Sequence, residues 1–451
     1  MGTPTPHKPS LLYWTLALLL TTLACATLTG GVPPAEGVPP AEGSPAPDIP
    51  QTASNGLIAY LGTDGNLYTI DENGADNFPI TQDAQDLPRL KSYQSPTWSP
   101  DGEHLAFVAL EISGGDPVSR VLVFTPETGE TAEIFSDEAE SPFYLYWSPD
   151  SESVSFLTSA PNSPHLFLRL AFLNGEESRV IDTGQPYYWV WSPDGEDIFV
   201  HEGGDTTANP DAQLALLSPG DEQTQPFELD PDRFQAPSWS PDGTELLAAL
   251  AGEGRATLSL LDLNGSPTQT LAEFNASIAF SWSPDGEKIA YLATTLESGG
   301  FFGPLNIITP GTDTRQTTFE DNVLAYFWAP DSQQIAYFTP DASGGIEAMV
   351  SFDAKARTQA QTTFKLALHV MDVQTGATHR LAAFEPTAAF LNVVPFFDQY
   401  HHSATIWSPD STQLVYTTRN GEAASVWVAP AAGGSTPVQI AEGTLAFWSW
   451  K

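Results

Sequence analysis

The chain has 451 residues and a formal net charge of −40, from 56 acidic against 16 basic residues, with a single cysteine. Binding to nucleic acid needs a basic surface that releases counterions, and the absence of any basic stripe excludes that class of partner. One cysteine excludes an intrachain disulfide, and the about 400 residues that follow residue 54 are enough to bury a core without one.

Residues 1–24 resemble a bacterial lipoprotein signal peptide. A short charged region precedes an apolar run over residues 11–20, and the small Ala24 stands directly before Cys25. In such signals the cysteine becomes the acylated N-terminus and anchors the protein to a membrane. The alternatives are an uncleaved membrane anchor and ordinary secretion with an incidental cysteine. The apolar run is short for a bilayer core of roughly 30 Å, which favours cleavage.

Residues 25–54 are predicted to be a disordered, proline-rich tether. The hexapeptide Gly-Val-Pro-Pro-Ala-Glu occurs at residues 31–36 and again at residues 37–42, and more prolines follow. No apolar face exists to pack, and proline-rich chain prefers the extended polyproline II conformation.

A Trp-Ser-Pro-Asp tetrad recurs through the remainder of the chain, residues 55–451. Its copies begin at Trp98, Trp147, Trp191, Trp239, Trp282 and Trp407, with a Trp-Ala-Pro-Asp variant at Trp328. Five of the six intervals between successive copies are 43 to 49 residues, and the last is 79 residues. A period of about 40–50 residues with strand-forming sequences is typical of four-stranded propeller blades.

Each tetrad is predicted to form the tight turn between the first and second strands of a blade. Proline suits the second position, aspartate can bond its own downstream backbone, and the fifth residue takes a left-handed conformation. That fifth residue is glycine in four copies, but it is serine at Ser151, Ser332 and Ser411. A left-handed serine should cost about 1 kcal/mol relative to glycine. The tryptophan is expected to pack between neighbouring blades.

The second strands are the least ambiguous elements, and they predict eight blades. They start near Leu57, Leu105, Val154, Ile198, Leu246, Ile289, Ile335 and Leu414. The first unit lacks a first strand, whereas residues 444–449 read as a first strand with nothing after it. We therefore expect an all-β, eight-bladed propeller of four-stranded antiparallel blades, closed by its C-terminal strand. Seven blades, nine blades and an open array with ragged ends are the alternatives.

The turns, strands and period resemble the TolB-type propeller repeat, a relative of the WD-repeat family. The resemblance extends from Leu57 to the C-terminus and implies a fold more than an activity. TolB has six blades and an additional α/β domain, and its role with the Pal lipoprotein is therefore not implied here. Prolyl oligopeptidases carry similar propellers, but this chain has no G-x-S-x-G elbow and no room for a hydrolase domain.

The loops that differ most between repeats all belong to one face of the predicted propeller. They are residues 114–117, 203–211 and 297–304 and an insertion at about 341–363. A second part of the 79-residue interval, residues 396–402, precedes the strand that ends at Trp407 and should lie near the channel mouth. Aromatic, carboxylate and imidazole groups there could hold a sugar or peptide. The candidate binding residues are Phe301, Phe302, Phe396, Phe397, Asp398, Tyr400, His401 and His402.

Two alternatives apply to these residues. The first is aromatic packing that covers a long blade-to-blade loop. The second follows from the oligogalacturonate lyases, which share the TolB-like repeat and use a histidine-rich metal centre in the channel. That resemblance points to His401, His402, His201 and His104. Because adjacent residues of a strand point to opposite faces, His401 and His402 should not both ligate one ion. We therefore predict no metal and no cofactor.

The sequence as a whole predicts a lipid-anchored, extracytoplasmic propeller that acts as a non-catalytic scaffold. Its ligand would be a protein, a peptide or a glycan bound on the face of the variable loops, and its contact with the membrane would run through Cys25. A carbohydrate-active enzyme such as a metal-dependent polyuronate lyase is the first alternative. A structural component of the cell envelope is the second.

Overall fold

The computed structural model of the chain consists of eight antiparallel sheets arranged as a propeller. It describes residues 55–86, 89–113, 117–161, 163–204, 212–220, 223–232, 235–252, 254–294, 302–311, 315–341 and 364–451, without the side chains of 315–321. The expected signal peptide, Cys25 and the tether lie outside these residues. So do Phe301 and residues 342–363 of the insertion. In the part of the chain that the structure describes, no helix is long and apolar enough to span a membrane.

The strands are numbered in chain order, and blades 1 to 8 follow the same order. Blade 1 contains β1 (Ile58–Gly62), β2 (Leu67–Ile70) and β3 (Phe78–Pro79), blade 2 contains β4 (Arg89–Trp98), β5 (Leu105–Ser113), β6 (Val118–Thr125) and β7 (Glu130–Asp137), and blade 3 contains β8 (Ser141–Trp147), β9 (Ser153–Ser159), β10 (Leu166–Phe172) and β11 (Arg179–Gly184). Blade 4 contains β12 (Tyr187–Trp191), β13 (Ile198–Glu202), β14 (Gln213–Ser218) and β15 (Gln223–Pro226), and blade 5 contains β16 (Ser238–Trp239), β17 (Leu246–Leu250), β18 (Ala256–Leu261) and β19 (Pro267–Phe274). Blade 6 contains β20 (Ile278–Trp282), β21 (Ile289–Ala293), β22 (Gly303–Thr309) and β23 (Arg315–Val323), and blade 7 contains β24 (Ala325–Trp328), β25 (Gln334–Pro340), β26 (Leu366–Asp372) and β27 (Thr378–Phe384). Blade 8 contains β28 (Gln413–Asn420), β29 (Ala423–Pro430) and β30 (Val438–Ala441), and β31 (Gly443–Trp448) completes blade 1.

The eight predicted blades are confirmed, and every second strand begins within one residue of its predicted start. The described strands leave no sheet for a ninth blade inside the 79-residue interval. Blade 8 departs from the expected four strands in one respect. Its innermost position is held by the isolated bridge of Trp407 with Leu414, because the neighbouring Thr405 pairs with Trp448 of blade 1.

The last strand closes the ring, as the sequence predicts. β31 pairs antiparallel with β1, with Ala446 opposite Tyr60 and Trp448 opposite Ile58. Beyond the strand, the Ser449 N–H donates to the Leu57 carbonyl at 2.7 Å, and the Leu57 N–H donates to Ser449 Oγ at 2.9 Å. Blade 1 therefore combines strands from the two ends of the described chain, and β1 is paired on both sides while β31 takes the innermost position.

The tryptophans of the repeat pack between blades, which confirms their expected position. Trp147 and Trp407 are at most 1% exposed. The indole N–H of Trp147 donates to the Thr97 carbonyl of blade 2 at 2.9 Å, and that of Trp407 donates to the Phe327 carbonyl of blade 7 at 3.0 Å. Each of these rings therefore adds both buried apolar area and a directed bond to the contact between two blades.

The turns join neighbouring blades as well as strands. All three serine positions have φ near +62°, in the left-handed region where glycine is favoured. There the hydroxyl of Ser332 accepts a hydrogen bond from the Asp285 N–H of the preceding blade's turn at 3.0 Å. Ser411 accepts one from the Asp331 N–H in the same way, also at 3.0 Å, and Ser151 accepts one from the Asp101 N–H at 3.2 Å. The strain of the left-handed serine is thus offset by a bond between blades that glycine cannot make.

Because Ser332 combines backbone strain with a hydrogen bond to Asp285, two substitutions there should affect the stability of the protein differently. Ser332→Ala keeps the left-handed strain and loses the bond to Asp285, so it should destabilise the protein by about 1 kcal/mol. Ser332→Gly loses the same bond but removes strain worth about 1–2 kcal/mol, so its unfolding midpoint should match or exceed that of the native chain. Urea unfolding of both variants measures the difference. An alanine variant as stable as the native chain would contradict the inter-blade role of the hydroxyl.

Candidate functional site

The segment between β27 and Trp407 fills the centre of the propeller, and we call residues 385–406 the plug. It contains helix α1 (Ala388–Leu391), a 3-10 helix (Val394–Phe396) and helix α2 (Phe397–Tyr400). The sequence predicts a position near the channel mouth for residues 396–402 and does not predict these helices. Helices of four residues leave most of their end groups without an intrahelical partner, so contacts with the surrounding blades must stabilise them.

The plug crosses the channel from one side to the other. The Phe397 ring contacts Tyr326 of blade 7, with centroids 4.8 Å apart. Three residues later the Tyr400 ring meets Tyr144 of blade 3 edge to face at 5.0 Å. Blades 3 and 7 are opposite each other in a ring of eight, so the chain between these two contacts spans the axis. An aromatic lining on the inner strands therefore holds the plug on both sides.

Hydrogen bonds fix the plug to blades 3 and 1. Tyr144 donates its hydroxyl proton to the Gln399 carbonyl at 2.8 Å, in a buried contact. The backbone N–H of Ala236, before blade 5, lies near enough to the Asp398 carboxylate to oppose the rise of its pKa. At the start of α1, Thr387 caps the helix by accepting from the Phe390 N–H and donates to the carbonyl of Thr444 in β31. The plug is thus hydrogen-bonded to blades 1 and 3.

The two adjacent histidines of the plug lie side by side. Their ring centroids are 3.8 Å apart, and the His402 ring also stacks on Tyr146 at 5.5 Å. The expectation that they point to opposite faces is wrong, because the segment is helical and not a strand. The His401 Nδ1–H donates to the Phe397 carbonyl at 3.1 Å, while Nε2 of His402 is buried without a hydrogen-bond partner.

Burial controls the ionisation of this group. Desolvation lowers the pKa of His401 to about 4, against the effect of its backbone hydrogen bonds. Desolvation and then the neighbouring His401 lower the pKa of His402 well below its ordinary value. Desolvation also raises the pKa of Asp398 to about 6, although backbone N–H groups bond to its carboxylate. In each case the enclosed channel favours the neutral form.

The other predicted binding residues are divided between core and surface. Phe302 is 4% exposed and belongs to the same hydrophobic cluster as Phe397. A ligand could reach either ring only by displacing packed side chains. Phe396 is 47% exposed, which makes it the most accessible of the described candidates at the plug. Asp398, Tyr400, His401 and His402 are partly buried within the channel.

The other two histidines that the lyase resemblance points to, His201 and His104, do not join His401 and His402. His201 is fully buried in β13, with Nδ1 3.0 Å from the Gln235 carbonyl. His104 lies at the Trp-Ser-Pro-Asp turn of blade 2, near Asp101 and Glu103, and their potential ligand atoms lie within 4.8 Å of one another. Over the described ranges this is the one cluster of at least three His, Cys, Asp or Glu side chains with such spacing, and it is outside the channel.

One helix start within the plug could have been recognised from the sequence. Thr387 precedes Ala388, Ala389, Phe390 and Leu391, and threonine before a run of good helix formers is a common N-terminal capping signal. By contrast, nothing local indicates that Tyr144 and Tyr326, from distant repeats, would receive the plug.

No protein-family model matches this chain, and no curated protein does. Solved structures match its fold. Dihydro-heme d1 dehydrogenase NirN in complex with DHE gives a TM-score of 0.54 at 12% identity, covering 90% of this chain and 78% of that one. Oligogalacturonate lyase in complex with manganese gives 0.50 at 14% identity, covering 84% of this chain and 98% of that one. TolB from Acinetobacter baumannii is also matched, at 13% identity over 75% of this chain and 80% of that one, with a TM-score of 0.36. At such identities the shared feature is the fold alone.

The buried ionisable groups of the plug predict two opposite effects on acid stability. The unfolded chain protonates His401 near its ordinary pKa of 6.5, whereas the folded protein resists protonation until about pH 4. Stability should therefore fall as the pH drops from about 6.5 to about 4. Asp398 acts in the other direction, because the folded protein takes up its proton near pH 6 and the unfolded chain near 3.8.

We therefore expect His401→Asn to flatten the decline of the urea midpoint below pH 6.5 and Asp398→Asn to steepen it. The matched control is His165→Asn, since His165 is exposed on a loop. This control should leave the pH profile unchanged. Parallel profiles for all three variants would contradict burial of these groups in the folded protein.

Proposed function

We propose that the protein is a lipid-anchored, extracytoplasmic propeller that acts as a non-catalytic binding scaffold. Its ligand is a protein, a peptide or a glycan, and the ligand binds on the face formed by the variable loops. The single observation that carries this proposal is the plug. A segment of the chain itself occupies the channel, where a propeller enzyme would hold its reaction centre, and bonds to blades on several sides.

The distribution of possible metal ligands supports the same proposal. A metal-dependent polyuronate lyase needs several side chains that converge on one point in the channel. Within the described residues, the ligand-like cluster lies at Asp101, Glu103 and His104, at a turn where Asp101 also accepts from Ser99 Oγ and the Glu103 N–H. The likeness to the manganese-bound oligogalacturonate lyase concerns the fold and carries no site across.

Metal analysis together with an activity screen on polygalacturonate tests the scaffold against the lyase. We expect the purified full chain to contain no stoichiometric metal that depends on the plug, and to release no unsaturated products. The informative variant is His401→Ala, with His165→Ala as the matched loss of an exposed histidine. Unfolding midpoints of both variants establish that they are folded. Stoichiometric metal and turnover that disappear in His401→Ala but persist in His165→Ala would overturn the scaffold proposal.

The membrane anchor has a separate test. Acylation of Cys25 after cleavage predicts a mature N-terminus that carries lipid at residue 25, measured by mass spectrometry of the protein from membranes. Cys25→Ser should move the protein out of the membrane fraction, whereas Thr22→Leu, which leaves the cysteine in place, should not. An intact segment over residues 1–24 in the mature protein would refute the anchor.

A further inference from the structure

A cavity of about 410 Å³ opens between blades 3 and 4 on the face of the variable loops. It lies where the end of β11, the end of β13 and the start of β14 come together. Its lining residues are His165, Thr183, Gly184, Gln185, Glu202, Ala212, Gln213 and Phe227. It is separate from the plug, and none of the candidate binding residues from the sequence belongs to it.

Glu202 is the one acidic residue among the described residues of this lining, and its carboxylate has no hydrogen-bond or ion-pair partner among them. It makes no hydrogen bond or ion pair through its side chain with any described residue. Gly184 allows its position, because a Cβ at residue 184 would lie 2.5 Å from Glu202 Oε2. The half-buried carboxylate therefore lies directly against the backbone of the preceding blade, blade 3, where water solvates it incompletely.

The surroundings of Glu202 add negative charge and do not neutralise it. Asp182 is close enough to raise the pKa of Glu202, after burial, which is the larger cause. Asp182 itself is satisfied, since it accepts from the Thr183 N–H at 2.8 Å and from the Tyr187 hydroxyl at 2.7 Å. Among the described residues that line the cavity there is no lysine or arginine. Phe227 also belongs to the lining, but its side chain is only 6% exposed and packs against Phe199.

We propose that this cavity binds an organic cation, the guanidinium or ammonium group of a basic side chain or of a polyamine, with Glu202 as its counter-ion. Such a group would supply the hydrogen-bond donors that the carboxylate lacks. The inference rests on the proposed binding role, and it gives that role a ligand chemistry. The net charge of −40 would draw cations towards the protein, but it does not select this cavity.

A second glutamate provides a matched control for the net charge. Glu245 resembles Glu202, because burial and then a neighbouring aspartate, Asp242, raise its pKa as well. It lies beside the Trp-Ser-Pro-Asp turn of blade 5, on the opposite face from the cavity. Glu202→Gln and Glu245→Gln therefore remove the same charge from similar surroundings, and they differ in whether the charge faces the cavity.

The test is calorimetric titration of the full chain at about 0.15 M salt, where long-range attraction is screened. The probes are N-acetyl-arginine amide, spermidine and the neutral isostere N-acetyl-citrulline amide. We expect saturable binding of at least one cation at one site, and none of citrulline amide. Glu202→Gln should weaken that binding about tenfold or more, while Glu245→Gln should change it less than about twofold. The unfolding midpoint of Glu202→Gln should not fall, because no bond is lost.

Each outcome has a definite meaning. Saturation by arginine amide identifies a basic side chain as the ligand, and saturation by spermidine alone identifies a polyamine. If Glu202→Gln and Glu245→Gln weaken cation binding equally, the attraction comes from the net charge of the protein and the proposal is overturned. The absence of saturable binding by any cation would also overturn it. Turnover of polygalacturonate would overturn the scaffold function instead and would leave the cation result standing.

Discussion

The antiparallel pairing of β31 with β1 is the contact on which the rest of the structure depends. Each blade buries its two faces against its neighbours, so a propeller with one missing contact exposes two apolar faces and an unpaired strand. Here the hydrogen bonds between Leu57 and Ser449 extend the pairing past the end of the strand. Closure of the ring also fixes the diameter of the channel, and the channel in turn determines what the plug can contact.

Contacts between consecutive blades repeat the same chemistry with local variation. The repeat tryptophans contribute buried area and, at Trp147 and Trp407, a bond to a carbonyl of the previous blade. Where glycine gives way to serine in the turn, the hydroxyl of Ser332 or Ser411 adds a further bond of this kind. The net effect of such a serine on stability therefore depends on both its left-handed backbone strain and its hydrogen bond to the preceding blade, and the conformation of the turn alone does not determine it.

The sequence predicts the blades well because their determinants are local and repeated. Turn residues, alternating small and large side chains and a constant period identify strands such as Leu105–Ser113 and Ile289–Ala293, almost to the residue. The plug could not be predicted in the same way. A four-residue helix such as Phe397–Tyr400 has little stability of its own, and it exists because Tyr144 and Tyr326 receive it. The isolated carboxylate of Glu202 likewise depends on the backbone of a neighbouring blade at Gly184.

The plug also has a consequence for how the protein can recognise anything at all. Because Phe397 and Tyr400 touch opposite sides of the ring, relative tilting of the blades would break aromatic contacts at the axis. The plug therefore restricts the relative motion of opposite blades. The loops are carried by a β-sheet scaffold that changes little when a ligand binds. Association then loses less conformational entropy in the scaffold, so that adaptation is left to the loops themselves.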